Sequence, residues 1–429
     1  MRVVHLLRKY NPAEWGGTET ALQRLLAGLQ QCGISPVVYC PRINNGLSSD
    51  PLGDSDVTVK RFKACVPIWG ISDQRRRQLL AVGGNLMSFE LPVALLKEPE
   101  VSVIHTHALG RLGGIASMAA RLRRLPFVVT IHGGLYDLPA ELRARLNKPA
   151  TGGLEWGKLF GLLVQSRRLL TAADAILTCN RAEAALVQTR HPGRRVLVQP
   201  HAVETRRFLP DHREEACRAF PQIQNKQVLL CVGRIDPVKN QGWLIDHAPE
   251  IVRRHPQAIL VFAGACTDEA YGARLQAQIK EAGLQNHVLL TGGLMAADPR
   301  LIGLIQEARA VVLPSVSETF GVVILEAWAA GTVPIASRTS GATALVKHGQ
   351  NGWLFDLGNP AAFHSAIDAA LQHPEQSRQL AAAGHQLVHT EYDAGVLAAR
   401  MKNLYDQLIE EKHALRDPAR RRHECVHAG

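Results

Sequence analysis

The chain contains 429 residues, of which 46% are hydrophobic and 20% are charged, so it is long enough for two or three globular domains. No stretch of 18 consecutive apolar residues occurs, which excludes a conventional transmembrane helix. The formal net charge of +11 is unevenly placed, because residues 1–200 hold 26 Lys and Arg against 14 Asp and Glu. This basic half favours anionic partners such as a lipid surface or phosphorylated substrates, or it is a solvated surface without a partner.

The eight cysteines are dispersed along the chain, and none forms a C-x-x-C pair. Several lie inside apolar runs, where a free cysteine behaves as a small hydrophobic residue. This distribution argues against a zinc site and is typical of a reducing cytoplasm, with the inner face of the plasma membrane as an alternative location.

Short apolar runs alternate with helical patterns throughout the first half. The first run, Arg2–Leu7, is predicted to be a strand rather than part of a signal peptide. The alternation predicts a parallel sheet with helices on both faces, although residues 46–99 are less regular. Further strands are predicted at Pro36–Cys40, Val101–His105, Phe127–Ile131, Ala175–Cys179 and Val196–Gln199, and helices at Thr18–Gln31, Leu109–Leu122, Lys158–Thr171 and Arg181–Arg190.

A second alternating series begins after a break in the pattern near residues 200–210. We therefore predict an α/β protein with two Rossmann-like, doubly wound parallel-sheet domains, residues 1–205 and 206–391, facing a central cleft. An amphipathic helix at 392–412 is expected to return to the first domain, and the charged tail at 413–429 is expected to be disordered. In such folds ligands bind at the carboxyl ends of the strands.

Residues 315–331, SVSETFGVVILEAWAAG, follow a predicted buried strand and contain a loop and then a helix starting near Gly321. The backbone N–H groups of Phe320, Gly321 and Val322 would then be exposed at a helix N-terminus, which favours an anion. Because glycine has no side chain, Gly321 allows a ligand to approach the backbone closely.

Two glutamates flank this helix start. Glu326 lies one helical turn after Val322, where its carboxylate could accept bonds from two ribose hydroxyls of a nucleotide whose diphosphate lies at the helix start. Glu318 would face a sugar on the other side of that diphosphate. Taken alone, such a pair is also explained by favourable interactions of acids with the helix dipole.

Two cations follow the first strand of the second half. Arg234 and Lys239 lie on the loop VGRIDPVKNQG, and together they can neutralise a diphosphate, Arg through its planar fork and Lys as a point charge. The alternative is an ordinary charged surface loop. Gly264 and Gly292 end the next two predicted strands, where they either border a nucleobase or form plain turns.

In the first half, glycines and histidines lie after predicted strands, as the two cations and two glycines do in the second half. Gly16 and Gly17 precede the first helix and would expose backbone N–H groups, or they form a tight turn. His105, His107 and His132 lie at the ends of two predicted strands. His132 is the strongest candidate for an active-site residue, because two glycines follow it and let a ligand approach; a metal site is not expected, since no third ligand is near in sequence.

The ordered set of these motifs resembles the family 4 retaining glycosyltransferases of the GT-B fold across nearly the whole chain. The motifs that carry the resemblance are WGGTE, VIHTH and TIHGG in the first half, and GRIDPVKN, FAG, LTGG, LPSVSETFGVVILEAWAAGTVPIAS and HGQNGWLF in the second. Each motif is weak by itself, whereas their order and spacing are specific.

The resemblance implies a role for each matching residue. Arg234 and Lys239 would bind the diphosphate of the donor, Glu326 its ribose and Glu318 the sugar hydroxyls. His132 would lie beside the donor sugar and the acceptor, and Gly17 would approach the phosphates. The implied reaction is transfer of a hexose from a UDP- or GDP-sugar, with retention of configuration and without a metal or other cofactor.

The implied acceptor is a glycan or a lipid-linked molecule used to build cell-surface polysaccharide or glycoconjugate, and contact with an anionic membrane is expected. A sugar-nucleotide epimerase or a phosphorylase of the same fold is the alternative enzyme. The basic first half also raises a nucleic-acid-binding protein as an alternative of another class. No basic patch interleaved with aromatic residues supports that reading, so nucleic acid is not an expected partner.

Overall fold

A computed structural model describes residues 1–10, 17–42, 52, 57–81, 83–84, 86–133, 135–136 and 154–416. The chain divides into two compact units, one made of Met1–Pro200 with Leu397–Gly429 and the other of His201–Val396. The predicted boundary after residue 205 lies a few residues beyond this division. Of the predicted disordered tail, residues 417–429 lie outside the described part of the chain.

The first unit alternates strands and helices as its apolar pattern predicts. Its strands are β1 (Arg2–Leu6), β2 (Ser35–Pro41), β3 (Thr58–Phe62), β4 (Ile68–Trp69), β5 (Val101–Thr106), β6 (Phe127–Ile131), β7 (Leu154–Glu155), β8 (Ala175–Thr178) and β9 (Val196–Val198). Its helices are α1 (Gly17–Gln31), α2 (Asp73–Ala81), α3 (Glu90–Lys97), α4 (Gly110–Arg123), α5 (Lys158–Leu163), α6 (Leu169–Ala172) and α7 (Arg181–Arg190).

The main sheet of this unit is parallel, with the strand order β3-β2-β1-β5-β6-β8-β9, and β4 pairs with β7 in a separate antiparallel ribbon. Strands buried on both faces need apolar residues at nearly every position, which is why β6 contains the run FVVTI. The sequence predicts one helix at Lys158–Thr171, and this prediction is wrong. Gln165 adopts a left-handed conformation with φ of 51°, which ends α5 before a short 3₁₀ turn and α6.

The second unit repeats the alternation. Its strands are β10 (Gln227–Val232), β11 (Ala258–Ala263), β12 (Val288–Gly292), β13 (Ala310–Leu313), β14 (Pro334–Ser337) and β15 (Trp353–Phe355). Its helices are α8 (Arg213–Ala219), α9 (Gln241–Arg254), α10 (Glu269–Glu281), α11 (Pro299–Glu307), α12 (Val322–Ala329), α13 (Ser340–Leu345), α14 (Pro360–Gln372) and α15 (Pro374–Leu387).

These strands form one parallel sheet with the order β12-β11-β10-β13-β14-β15. The first strand of this unit, β10, lies at the centre of the sheet. The chain adds β11 and β12 on one side of it and then crosses over to add β13, β14 and β15 on the other side. The point where the direction of winding changes lies between β10 and β13, and in sheets of this kind the loops at that point leave a crevice for ligands. Trp328 of α12 is fully buried behind the sheet and donates a hydrogen bond to the Asn351 carbonyl at 2.8 Å.

The last helix, α16 (Ala394–Ala414), packs on the first unit. Its apolar residues, among them Met401, Tyr405 and Leu408, share one core with Val3 of β1 and Leu22 of α1. The helix continues two residues past the predicted end at residue 412. No helix in the described part of the chain has the length and apolar composition that crossing a membrane requires.

Candidate functional site

The loops that follow β10 and β13 meet at the carboxyl edge of the second sheet. The Val316 N–H donates to the Val238 carbonyl at 2.9 Å, and the Asn240 side chain donates to the Pro314 carbonyl at 3.1 Å. Because the two strands are neighbours at the point where the winding changes, loops far apart in sequence are joined into one surface.

The loop after β10 is shaped by Asp236. Its Oδ1 accepts hydrogen bonds from the backbone N–H groups of Val238 at 2.9 Å and Lys239 at 3.0 Å. Its Oδ2 lies 3.1 Å from Arg234 Nη2, and the Arg234 side chain is still 57% exposed. Arg234 therefore keeps donors available to a ligand, while a mostly buried carboxylate fixes the position of the loop. The sequence analysis did not identify Asp236, which is recognisable as the acid between the two cations.

Lys239 and Glu318 form an ion pair between Nζ and Oε2. Both side chains are only 19% exposed, so their charges are screened less than those of a surface pair. The sequence suggested separate roles for these residues, Lys239 at a diphosphate and Glu318 at a sugar. The structure shows that they touch, so a phosphate that binds Lys239 would lie next to Glu318.

Gly321 prepares the start of α12. The helix begins at Val322, one residue later than predicted, and Gly321 precedes it in a left-handed conformation with φ of 88°. No side chain caps this end, so the N–H groups of Val322 and Val323 have no partner within the helix. Phe320 is buried, and Glu326 lies one turn further along the helix, also buried. The end of the helix is therefore suited to an anion, as predicted.

Gly341 of α13 is a site residue that the sequence analysis missed. Its N–H donates to the Glu318 carbonyl at 2.7 Å, and a Cβ at this position would lie 2.5 Å from the Phe320 nitrogen. Ser340 adds a hydrogen bond from its hydroxyl to the same carbonyl at 3.2 Å. The first turn of α13 therefore supports the backbone of the Glu318 loop, and only glycine leaves enough room at residue 341.

The two other glycines predicted to lie at the site of the second unit, Gly264 and Gly292, differ in how closely they are packed. A Cβ on Gly264 would lie 1.9 Å from the Gly233 carbonyl oxygen, so glycine is required there by packing between neighbouring strand ends. Gly292 ends β12 with φ of 75°, and nothing lies within 4 Å of the position of a Cβ. The predicted contact of these residues with a nucleobase stays a prediction.

His132 follows β6 in the first unit and takes part in a chain of imidazoles. Its Nε2 lies 2.8 Å from His107 Nδ1, and His107 Nε2 lies 3.1 Å from His5 Nδ1. His5 was not identified from sequence. Its place in β1 opposite His105 of β5 could have shown it, because the two residues are in register in neighbouring parallel strands.

The direction of the hydrogen bonds between these imidazoles depends on where His5 carries its proton. Burial lowers the pKa of His5 to about 3, so the ring is neutral, and its buried Nε2 has no hydrogen-bond partner. A proton on Nε2 would be a buried, unsatisfied donor, whereas an unpaired acceptor costs less. This assigns the proton of His5 to Nδ1, from which it donates to His107 Nε2.

His5, His105 and His107 also lie within the spacing that three ligands of one metal ion would show, with ligand atoms no more than 4.8 Å apart. Both ring nitrogens of His105 have hydroxyl partners, Tyr405 at 2.7 Å and Thr130 at 2.6 Å. Burial and the neighbouring imidazoles lower the pKa of His105 well below its ordinary value. A network of hydrogen-bonded rings accounts for these positions.

Gly17 is the first residue of α1 and is exposed. No atom of the described residues lies within 4 Å of the position that a Cβ would take there, so packing among them does not require glycine. Gly16 lies outside the described residues.

Two protein-family models match most of the chain. The model described as "Glycosyl transferase 4-like domain" matches residues 16–201, and the model described as "Glycosyl transferases group 1" matches residues 213–387. Their boundary agrees with the division into two units at Pro200.

Two curated relatives carry the description D-inositol 3-phosphate glycosyltransferase. The protein from Frankia alni is 30% identical over 284 residues, which cover 65% of this chain and 68% of the relative. The protein from Acidothermus cellulolyticus is 28% identical over 285 residues, which cover 64% of this chain. The chain spans 61% of the length of this second relative.

A solved structure with a similar fold is that of Anabaena HepE in complex with UDP-glucose. The TM-score is 0.70 at 19% identity, and the alignment covers 95% of this chain and 100% of that chain. At this identity the likeness establishes the shared GT-B fold.

Proposed function

Since the chain belongs to family 4 of the glycosyltransferases and has the GT-B fold, we propose that it transfers a hexose from a nucleotide diphosphate sugar to an acceptor. The observation that carries the proposal is the set of groups at the carboxyl edge of the second sheet. Lys239, Arg234 and the uncapped start of α12 offer positive charge and N–H donors, and Glu318 lies against Lys239. This is the set that a diphosphate with an attached sugar requires.

The chemical task is to stabilise a departing diphosphate. Lys239 and Arg234 supply fixed positive charge, and the N–H groups of Val322 and Val323 add donors that need no reorganisation as negative charge develops. The Lys239–Glu318 pair holds the ammonium group in place before the donor arrives. Glu318 is also proposed to accept from sugar hydroxyls, and Glu326 to bind the ribose.

We propose that transfer proceeds with retention of configuration at the anomeric carbon. The carboxylates of Asp236 and Glu318 are engaged by Arg234 and Lys239, so the pathway we favour is a front-face one without an enzyme nucleophile. The bond from the anomeric carbon to the phosphate oxygen breaks as the bond to the acceptor oxygen forms, and the phosphate oxygen takes the acceptor's proton. No metal is required in this proposal, because the cations of the site provide the charge. The roles of His132 and Gly17 in the first unit remain predictions.

Two names of relatives bear on the proposed substrates, and the second of them supports a GDP-hexose donor and a lipid-linked acceptor. The Frankia relative is named for D-inositol 3-phosphate, and a relative from Mycolicibacterium smegmatis is named as a GDP-mannose-dependent mannosyltransferase acting on a phosphatidylinositol monomannoside. We propose a UDP- or GDP-hexose as donor and a glycan or lipid-linked molecule as acceptor, serving cell-surface polysaccharide or glycoconjugate synthesis. Contact of the basic first half with an anionic membrane belongs to the same proposal.

A donor screen tests this function directly. The full chain is heated with a panel of UDP- and GDP-hexoses and with the free nucleotides, and at saturation the true donor should raise the melting temperature by several degrees. Incubation with that donor and a matching acceptor, with and without EDTA, followed by NMR of the product, reports the anomer and the need for metal. A panel without any shift, or a product of inverted configuration, would contradict the proposal.

A further inference from the structure

Helix α5 of the first unit turns an apolar face outward. Leu159, Leu162 and Leu163 follow the i, i+3, i+4 spacing of one helical face, and each is between 72% and 79% exposed. Gly161 and Val164 on the other side are buried against the unit. Single exposed leucines are common, but three on one helical face are typical of a surface that meets a partner.

The ribbon formed by β4 and β7 extends this face. Trp69 and Leu154 are directly paired across the two strands, and they are 62% and 67% exposed. The ring of Trp69 lies 6.1 Å from that of Trp156, two residues before α5. We call Trp69, Leu154, Leu159, Leu162 and Leu163 together the leucine surface.

Short contacts hold the leucine surface to the body of the unit. Arg111, in the first turn of α4, donates to the Gly157 carbonyl at 2.9 Å and forms an ion pair with Glu155. A Cβ on Gly157 would lie 2.5 Å from Pro67. Because α4 begins at the carboxyl edge of the sheet, the leucine surface lies beside the edge where ligands of such folds bind. The exposed leucines are therefore a fixed feature of the unit.

The segments that carry the leucine surface are rich in cations. The segments 68–81 and 154–168 together hold six Arg and Lys and two Asp and Glu, and one of these acids, Glu155, is paired with Arg111. A cavity of about 710 Å³ lies between the C-terminal end of α4 and the residues that follow α5, and Asp174, the one carboxylate among the described residues that line it, is paired with Lys412. The cations that line it are Arg121, Arg124, Arg168, Lys412 and Arg416.

We propose that the leucine surface inserts into the headgroup region of an anionic lipid bilayer, with the surrounding cations on lipid phosphates. Apolar side chains framed by Arg and Lys are the combination that binds such an interface, and a tryptophan at the rim is typical of it. The phosphates of a nucleic acid would bind the cations, but they would not bury the three exposed leucines. The inference rests on the membrane part of the proposed function and places a lipid-linked acceptor beside the carboxyl edge of the first sheet.

Vesicle sedimentation of the full chain tests this inference. The wild type should bind phosphatidylcholine vesicles that contain about 30 mol% phosphatidylglycerol more tightly than vesicles of phosphatidylcholine alone. The triple variant Leu159→Ser, Leu162→Ser, Leu163→Ser should bind the anionic vesicles roughly tenfold more weakly or worse. The matched control is Leu209→Ser, which changes an equally exposed leucine of the second unit and should bind as the wild type does.

The double variant Arg121→Gln, Arg168→Gln separates the electrostatic contribution to vesicle binding from the apolar one. It should lose most of the preference for anionic vesicles and keep the weaker binding to neutral ones. Blue-shifted Trp fluorescence on vesicle addition, abolished by Trp69→Phe, would place the leucine surface in the lipid.

Three results would overturn the inference. The first is a triple variant that sediments like the wild type. The second is a fall of its melting temperature by more than about 5 °C relative to Leu209→Ser, since the leucines would then be packed inside the folded chain. The third is a wild-type dimer in sedimentation velocity that the triple variant dissociates. Nucleotide binding measured without vesicles reports on the transferase proposal independently, and the triple variant should leave it unchanged.

Discussion

The two units arrange polar groups at their sheet edges in opposite ways. In the second unit, Lys239 and Glu318 form a partly buried ion pair, and Arg234 remains largely exposed. In the first unit, His5, His107 and His132 form a chain of imidazoles in which the innermost ring is neutral, because burial lowers its pKa to about 3. The comparison shows that one edge presents ion pairs and an exposed cation to a charged ligand, while the other presents a row of hydrogen-bonded imidazoles whose innermost ring is neutral.

The largest effect is expected at Glu318. We expect Glu318→Gln to lower the turnover number about a hundredfold, or about 2.7 kcal/mol, because Lys239 loses its charged partner and one carboxylate oxygen that could accept from a sugar hydroxyl becomes an NH2 donor. The fold should survive, since Glu318 lies in a loop. Initial-rate measurement gives the turnover number, and Glu281→Gln, an exposed glutamate of α10, is the control. An unchanged turnover number would remove Glu318 from the mechanism.

Gly341→Ala tests the support of that loop. The added methyl group would lie 2.5 Å from the Phe320 nitrogen, so we expect a loss of about 1–3 kcal/mol in stability together with weaker donor binding. Urea unfolding measures the first effect and calorimetry the second. Gly358→Ala serves as the control, because nothing lies within 4 Å of its Cβ position. If both variants behave alike, residue 341 does not support the site.

The sequence was sufficient to predict the parallel sheets and most helices, because buried β-branched runs and helical spacing are local properties. It also placed Arg234, Lys239 and Glu318 on loops at strand ends. It could not show that Lys239 and Glu318 touch, since that contact depends on β10 and β13 being neighbours although 79 residues separate the pair. Gly341 was missed because its contacts with Glu318 and Phe320 are also made through the fold and not between neighbours in sequence.

Acid should destabilise the first unit through its histidines. The unfolded chain protonates His5 near pH 6.5, whereas the folded chain resists protonation down to about pH 3, so stability is full above 6.5 and falls as the pH decreases between these values. The expected slope is about 1.4 kcal/mol per pH unit for each such histidine, and His105 shifts in the same direction.

Urea unfolding at a series of pH values measures this slope. His5→Gln should reduce it, and His373→Gln, which changes an exposed histidine, should leave it unchanged. A free energy of unfolding that stays constant as the pH falls would show that the imidazoles are not held neutral by burial.

The smallest effect is expected for Gly17→Ala. The position has open space, so stability should change by less than about 0.5 kcal/mol. If the backbone of Gly17 approaches phosphates, as the sequence predicts, the Michaelis constant for the donor should rise while the melting temperature stays the same. Equal Michaelis constants for the variant and the wild type would remove Gly17 from the donor site.

The histidine chain marks a second limit of sequence analysis. His132 could be singled out because glycines follow it, but His5 sits in the apolar strand RVVHL and looks like an isolated polar residue. Its importance comes from register, since β1 and β5 place His5 opposite His105. The exposed leucines of α5 were likewise hidden, because apolar residues at helical spacing normally indicate a buried face.

Calorimetric titration with the nucleoside diphosphate of the donor tests the central claim most directly, namely that the loops after β10 and β13 bind a diphosphate through Lys239. We predict that Lys239→Ala raises the dissociation constant about tenfold or more, because a partly buried charge contact is lost, while Lys280→Ala on the exposed face of α10 leaves it unchanged. Equal dissociation constants for the wild type and Lys239→Ala would contradict the account.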